Sequence, residues 1–281
     1  MMTKVTRTYP SVVSQIILYS VLVIYAIITF IPFLWALSAS FKSLSEIVSG
    51  GMNIIPKQFT FDNYSTIFEK EPKFIRWVLN SAFIAVSITM ANLLFNSMAG
   101  YALARINFPG SKVLFFSILA IMMIPGQLTI IPSYLIIKEL GWLNSYQSMI
   151  VPGAVTATFI FMMRQFFLSF PRDLEDAAEI DGLGRYGTFF RVVLPLAKPA
   201  LAAQVIFTFM GAWNEFLKPL MFMSEKSMFT LSIGLNTFKG QYISYWNYIM
   251  AASMIMTIPA LLIYIAFNRF FIKGVTFTGG K

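Results

Sequence analysis

Neither cysteine nor histidine occurs anywhere in the 281 residues, and charged residues make up only 12% of them. The first two absences together remove disulfides, thiol chemistry, thiolate or imidazole metal ligation and histidine acid/base catalysis. The scarcity of charge removes the ordinary soluble domain, in which about a quarter of residues are charged. Also missing is a glycine-rich loop ending in Gly-Lys-Ser or Gly-Lys-Thr, so the chain carries no phosphate-cradling motif. The net charge of +9 is not gathered into a basic run with interleaved aromatics, which argues against nucleic-acid binding. Basic loops lying against anionic lipid account for it instead.

What is present is apolar sequence: 57% of residues, 29 of them phenylalanine, with a mean hydropathy of +0.71. About 20 apolar residues cross a hydrocarbon core. Six segments are long enough, approximately 12–40, 77–103, 113–137, 148–170, 200–224 and 248–267. The chain is therefore read as an all-α integral membrane protein, with a single transmembrane domain over residues 1–281. Pro152 and Pro259 interrupt the fourth and sixth spans, breaks a membrane helix tolerates when neighbours satisfy the freed carbonyls. Lys4 and Arg7 before an apolar stretch suggest a signal peptide, but that stretch is about twice a signal core in length and is expected to remain as an uncleaved span. Six spans put both termini on one side. A small majority of the 21 lysines and arginines, the acid-free 105–112 loop and the basic tail favour that side as cytoplasmic.

Two connections are long. Residues 41–76 mix charges with Phe59, Phe61, Tyr64, Ile67 and Phe68, as expected of short interfacial helices. Residues 171–199 contain "EDAAEIDG", four carboxylates in eight positions. Pro171 ends the fourth span, Asp173 is the expected N-cap, and Glu175 and Asp176 sit in the first turn, where the helix dipole favours negative charge. Ala177 and Ala178 keep the helix narrow, and Gly182 supplies a backbone able to turn with positive φ. Phe189, Phe190 and Val193 follow at helical spacing before Pro195 and Pro199. A solvated, well-capped loop helix would explain the octapeptide alone.

The longer pattern is more specific. Asp176-Ala177-Ala178, Gly182 four positions on, then Val193 and Leu194-Pro195, resembles the EAA motif of permease subunits in ATP-binding-cassette (ABC) importers, with Asp176 where the motif has glutamate. Ser45–Phe68, Asn80–Arg105, "GAWNEFLKPLMF" at 211–222 and "FNRFFIKGVTFTGGK" at 267–281 are similar to the shorter permease of maltose-type carbohydrate importers.

That resemblance implies a type I ABC importer permease fold of six helices in a bacterial or archaeal cell membrane. It implies a non-catalytic subunit without a cofactor, moving a mono- or oligosaccharide by alternating access. The implied partners are a second homologous permease, a cytoplasmic ATPase dimer that binds ATP and magnesium, and an extracytoplasmic solute-binding protein. Carried over residue by residue, Asp176, Ala177, Ala178, Asp181 and Gly182 would dock on the ATPase, with Arg185 in support. Pro195 would pass the displacement to the next span. In the tail, Gly274, Thr278 and Gly279 are the implied ATPase contacts, with Phe277 departing from the pattern.

Polar residues within spans are functional candidates. Asn92 and Asn96, four apart, Gln127, and the triplet Trp213, Asn214 and Glu215 offer amides, a carboxylate and an aromatic face that suit a sugar, though amides also tie membrane helices together. Glu215 lies well past the middle of its span, which favours a structural or gating contact over a proton carrier. The 17 methionines, without cysteine or histidine beside them, are read as adaptable packing between moving helices rather than soft-metal ligands. The alternatives are an ABC permease for a non-sugar solute and an ion-coupled secondary transporter using Glu215. The latter predicts inverted repeats, and none is visible.

Overall fold

The computed structural model describes residues 12–49, 53–240 and 242–277, and side chains up to residue 270. It is helical throughout, and among the described residues the one extended pairing is an isolated bridge between Lys239 and Ser244. In chain order the helices are α1 (Val12–Ala39), α2 (Leu44–Val48), α3 (Asp62–Lys70), α4 (Phe74–Arg105) and α5 (Ser111–Met122). After a 3₁₀ turn at Gly126–Thr129 come α6 (Ile130–Glu139), α7 (Gln147–Gly153), α8 (Ala157–Leu168), α9 (Asp173–Ile180) and α10 (Arg185–Thr188). A π-helical turn at Phe189–Val193 leads to α11 (Leu194–Leu196), α12 (Lys198–Trp213), α13 (Leu217–Phe222), α14 (Leu231–Gly234) and α15 (Trp246–Phe277).

Among the described residues four helical stretches are long and apolar enough to cross a membrane: Val12–Ala39, Phe74–Arg105, Gln147–Leu168 and Trp246–Phe270. The number rises to six if each of two bent pairs is one span, α5 with α6 at 95° and Arg185–Leu196 with α12 at 78°. The first bend follows from Pro125, which excludes Ile124 from helical backbone and cannot itself donate. The second lies at Ala197, between Pro195 and Pro199. The expected fifth span, 200–224, is helical only to Trp213; the chain breaks at 214–216 before the short α13.

By contact the chain forms two units, Met1–Ile67 with Phe238–Met254, and Phe68–Thr237 with Ile255–Lys281. In the first, α1 leaves its apolar side chains exposed along most of its length, as a surface facing lipid or another chain does. The 41–64 stretch of this unit folds on an aromatic cluster in which Phe41 stacks on Phe59 (4.6 Å between centroids) and meets Phe61 edge-on (5.3 Å). Buried Lys42 donates to the Asn53 carbonyl. The Asn63 amide bridges the Ser40 and Lys42 carbonyls and accepts from Asn247.

The second unit is built along α4, which at 32 residues is about 48 Å long. Two apolar cores lie along it. One joins Ile84 and Ile88 to Ile137, Met149, Phe222 and Ile233; the other joins Tyr101 to Met163, Phe167, Phe189, Val193 and Ala197. At Gly100 the approach to α8 is so close that a Cβ would lie 2.7 Å from Met163 Cβ and 2.9 Å from Arg164 N. Only glycine fits there. Met149 and Met163 are buried in these cores, whereas Met122 and Met123 are exposed.

Candidate functional site

α9 starts with Arg172 at the N-cap position and Asp173 as its first residue, one position earlier than the expected Asp173 cap. The Arg172 carbonyl already accepts from the Glu175 and Asp176 amides, which draws Asp173 into the helix. No side chain caps this end, and Asp173, Glu175 and Asp176 place negative charge against the free amides of the first turn.

The far end closes as sequence reasoning expects. Leu183 N donates to Ala178 O (2.9 Å) and Gly182 N to Glu179 O (3.0 Å), the paired bonds of a Schellman motif. They require the φ of +80° that Gly182 adopts, while a Cβ there would meet no atom within 4 Å. Glycine is therefore required for its backbone and not for space.

The two faces of α9 differ. Glu175 and Ala178, three apart, face the protein, and Ala178 is 4% exposed. Asp176, Ala177 and Asp181 are open, as is Ile180 at 86% exposure, and beyond the turn Tyr186 is 76% exposed. An apolar isoleucine and tyrosine flanking an acidic, small-residue face is a surface suited to a protein partner. Past Gly182, Arg185 is exposed, Phe189 and Val193 are buried, and Phe190 points outward. Leu194 N bonds to Phe189 O, the π-type spacing; Pro195 removes the bond to the Arg191 carbonyl and crowds it, which widens the turn.

Three residues tie α9 down: Arg105 and Tyr101, which sequence reasoning did not single out, and Glu175, expected there only to complement the helix dipole. Arg105 Nε lies 2.9 Å from Glu175 Oε1, and these side chains are 6% and 18% exposed. The Tyr101 hydroxyl donates to Glu175 Oε2 (3.1 Å), and Arg105 Nη2 donates to the Phe170 carbonyl (2.6 Å). They border a polar cavity of about 320 Å³ that Arg172, Asp176 and Arg185 also line. The available signal was helical spacing: the position three before buried Ala178 shares its inward face.

The candidates within the spans separate into two groups. Asn92 and Asn96 are fully buried and their amides join helices. Asn92 Nδ2 donates to the Ile88 and Gly153 carbonyls, Asn96 Nδ2 to Asn92 Oδ1, and Asn96 Oδ1 accepts from Thr156 N (3.2 Å). Gln204 adds a bond to the Asn92 carbonyl (2.8 Å). Trp213 is also buried, stacked on Phe209 at 5.7 Å with Nε1 donating to the Met256 carbonyl. Gln127 and Asn214 are exposed.

Glu215 Oε1 accepts from Phe216 N and Leu217 N, both at 3.1 Å, and so caps α13; its Oε2 is 3.9 Å from Lys218 Nζ. Glu215 and Lys218 line a cavity of about 170 Å³ with Gly153, Thr156, Phe159 and Thr208. Two helix breaks meet there. One lies between α7 and α8, where Pro152 ends regular bonding and Thr156 is extended (φ −134°); the other is at 214–216. Broken helices at membrane depth are tolerated where they line a cavity. Lys218, Thr156 and Thr208 were not singled out in the sequence. Of the tail candidates, Gly274 falls within α15, and Thr278 and Gly279 lie outside the described residues.

A family model described as "Binding-protein-dependent transport system inner membrane component" matches residues 96–277. The "Arabinooligosaccharides transport system permease protein AraQ" of Halalkalibacterium halodurans is 38% identical over 262 residues, covering 92% of this chain and 94% of that protein. The "Diacetylchitobiose uptake system permease protein NgcG" of Streptomyces coelicolor is 33% identical over 255 residues, 89% of this chain and 84% of that protein. The crystal structure of a bacterial ABC transporter involved in the import of the acidic polysaccharide alginate shares the fold. It superimposes with a TM-score of 0.81 over 94% of this chain and 99% of that chain, at 24% identity.

Proposed function

Because the chain belongs to the family of binding-protein-dependent transport system inner membrane components, and is thus a multi-pass, non-catalytic permease subunit of an ABC importer, we propose that it passes an oligosaccharide across the membrane. Relatives named for arabinooligosaccharides and diacetylchitobiose support that substrate class. The cavity at the two helix breaks fits it chemically. Its carboxylate is balanced by Lys218, and Thr156, Thr208 and Phe159 offer hydroxyl partners and an aromatic face. A lining without net charge suits a neutral sugar better than an acidic one.

The observation that carries the coupling role is α9. Its inward face is bonded to α4, its outward face is open and apolar at Ile180, and it ends in a turn only glycine makes easily. In our reading Asp176, Ala177, Ala178, Asp181, Gly182 and Arg185 dock on one subunit of a cytoplasmic ATPase dimer, which binds and hydrolyses ATP with magnesium. A second permease completes the path, and a solute-binding protein delivers the sugar on the opposite side. With α9 facing the cytoplasm and six spans, both termini are cytoplasmic. ATPase closure then moves α9, and the cavity opens alternately to the two sides.

The test is ATP hydrolysis and sugar uptake by the reconstituted complex in lipid, with its solute-binding protein and a panel of oligosaccharides, for wild type, Gly182→Asp and Asp176→Lys. Stimulation by one sugar that both variants abolish while the complex still assembles is the expected result. Stimulation that survives both substitutions would remove α9 from the coupling role.

A further inference from the structure

Between the docking segment and the cavity stands one unbroken element, α4. Its last turn grips α9 through the Arg105–Glu175 pair, the Tyr101 hydroxyl and the Arg105 bond to Phe170. At 6% and 18% exposure the charged pair is largely withdrawn from water, so its attraction is weakly screened and depends on close geometry. Tyr101 is itself held by rings, 5.7 Å from Phe167 and 5.1 Å from Phe189 between centroids. Thirteen residues back along α4 from Arg105 is Asn92, a distance of about 20 Å at helical rise. Asn92 and Asn96 bond to Gly153 and Thr156, and both of those residues line the cavity.

We propose that Arg105, Glu175 and Tyr101 are positioning residues that latch α9 to α4, so that movement of α9 is delivered through α4 to the 154–156 break and the cavity. The proposal rests on α9 being the ATPase-docking helix. The covalent route out of α9 passes the Gly182 turn, the π-helical turn and the 78° bend before α12. Each joint can absorb displacement. α4 has no break between Phe74 and Arg105, and its close approach to α8 at Gly100 makes the two helices move together.

The experiment uses the full complex in lipid with its solute-binding protein, and reads the ratio of sugar-stimulated to unstimulated ATP hydrolysis together with sugar transported per ATP. Glu175→Gln keeps the side-chain shape and removes the charge; Arg105→Gln removes the other half; Asp176→Lys reports on docking independently. We expect each Gln variant to lower the ratio about fivefold or more while the complex still co-purifies. The double variant should fall well short of the summed single losses, because the ion pair is shared, although Arg105→Gln also removes the bond to the Phe170 carbonyl. Additive losses would mean two separate structural roles and overturn the latch. A wild-type ratio in Glu175→Gln beside an uncoupled Asp176→Lys would also overturn it and leave the docking reading standing. Indifference of all three variants would remove both. Should either Gln variant fail to assemble, Tyr101→Phe, which deletes one hydroxyl, decides: a loss of about twofold or more supports the latch, and a wild-type ratio overturns it.

Discussion

At the Trp77 end of α4, neutral side chains reach backbone atoms of the 226–231 segment. Trp77 Nε1 donates to Lys226 O (2.7 Å), Asn80 Nδ2 to Ser227 O and Phe229 O (3.0 and 2.9 Å), and Ser81 Oγ accepts from Leu231 N (2.7 Å). At the Arg105 end, a charged pair and one phenol hold α9. The first set is buried and neutral, and the ring of Trp77 lies so close to Gly234 that no Cβ fits between them. The second borders an open polar cavity. Neutral bonds from buried side chains to backbone specify one arrangement and penalise every other by leaving polar groups unpaired. The Arg105–Glu175 pair is largely withdrawn from water yet borders a polar cavity, so it holds α9 firmly through two charged groups rather than sealing it into a core. One end of α4 is therefore read as an anchor and the other as a coupling.

The sharpest way to break the anchor is Trp77→Ala. Removing a fully buried indole should cost about 3–5 kcal/mol, seen as a large drop in thermal unfolding temperature of the purified subunit. Molecules that remain assembled should keep their ratio of sugar-stimulated hydrolysis. Next is Arg105→Gln, which leaves Glu175 charged and without its partner. The cost should be about 2–3 kcal/mol, below the range for a fully buried pair because Glu175 keeps some water. Here stimulated hydrolysis should suffer more than thermal stability does, the reverse of the Trp77 variant. If both variants lost stability and coupling in the same proportion, the contrast between the two ends would be gone.

Gly182→Ala should cost about 1–2 kcal/mol, because the added Cβ meets no atom and the whole penalty is that of the left-handed backbone. Gly182→Asn should cost less, and proteolytic nicking within 173–188 would rank the two. The smallest expected change is Tyr101→Phe, about 1 kcal/mol in a denaturation midpoint. Its ring stays packed on Phe167 and Phe189.

Much of the fold was legible before any coordinates. Apolar runs marked the spans, and Pro152 coincides with the end of regular bonding between α7 and α8. The glycine closing "EDAAEIDG" adopts the positive φ expected of it. The site was legible only in part. The alternation of α9 separates Asp176, Ala177 and Asp181 from Glu175, yet nothing local pairs Glu175 with Arg105, 70 positions earlier. Asn92 and Asn96 stood out as polar residues in a span, but whether such amides face a cavity or another helix depends on helix rotation. Here they face the break at Gly153–Thr156. Lys218 carried no signal by itself, since a lysine near a helix end is ordinary until a second broken helix is brought beside it.

The sequence by itself determined that this chain lives in a membrane, approximately where its apolar spans run, and where the Pro152 interruption and the Gly182 turn fall. Pro259, expected to interrupt the sixth span, lies inside the continuous helix α15, and the breaks before Pro125 and at 214–216 were not foreseen. Lipid demands about 20 apolar residues per crossing, and proline and glycine act on their own backbone. Tertiary structure alone decided which distant polar groups meet: Arg105 with Glu175 and Asn96 with Thr156. Such meetings depend on how closely and at what rotation helices approach. That is set by small contacts such as Gly100 against α8, where the backbones of residues more than 60 positions apart, Gly100 and Arg164, come together.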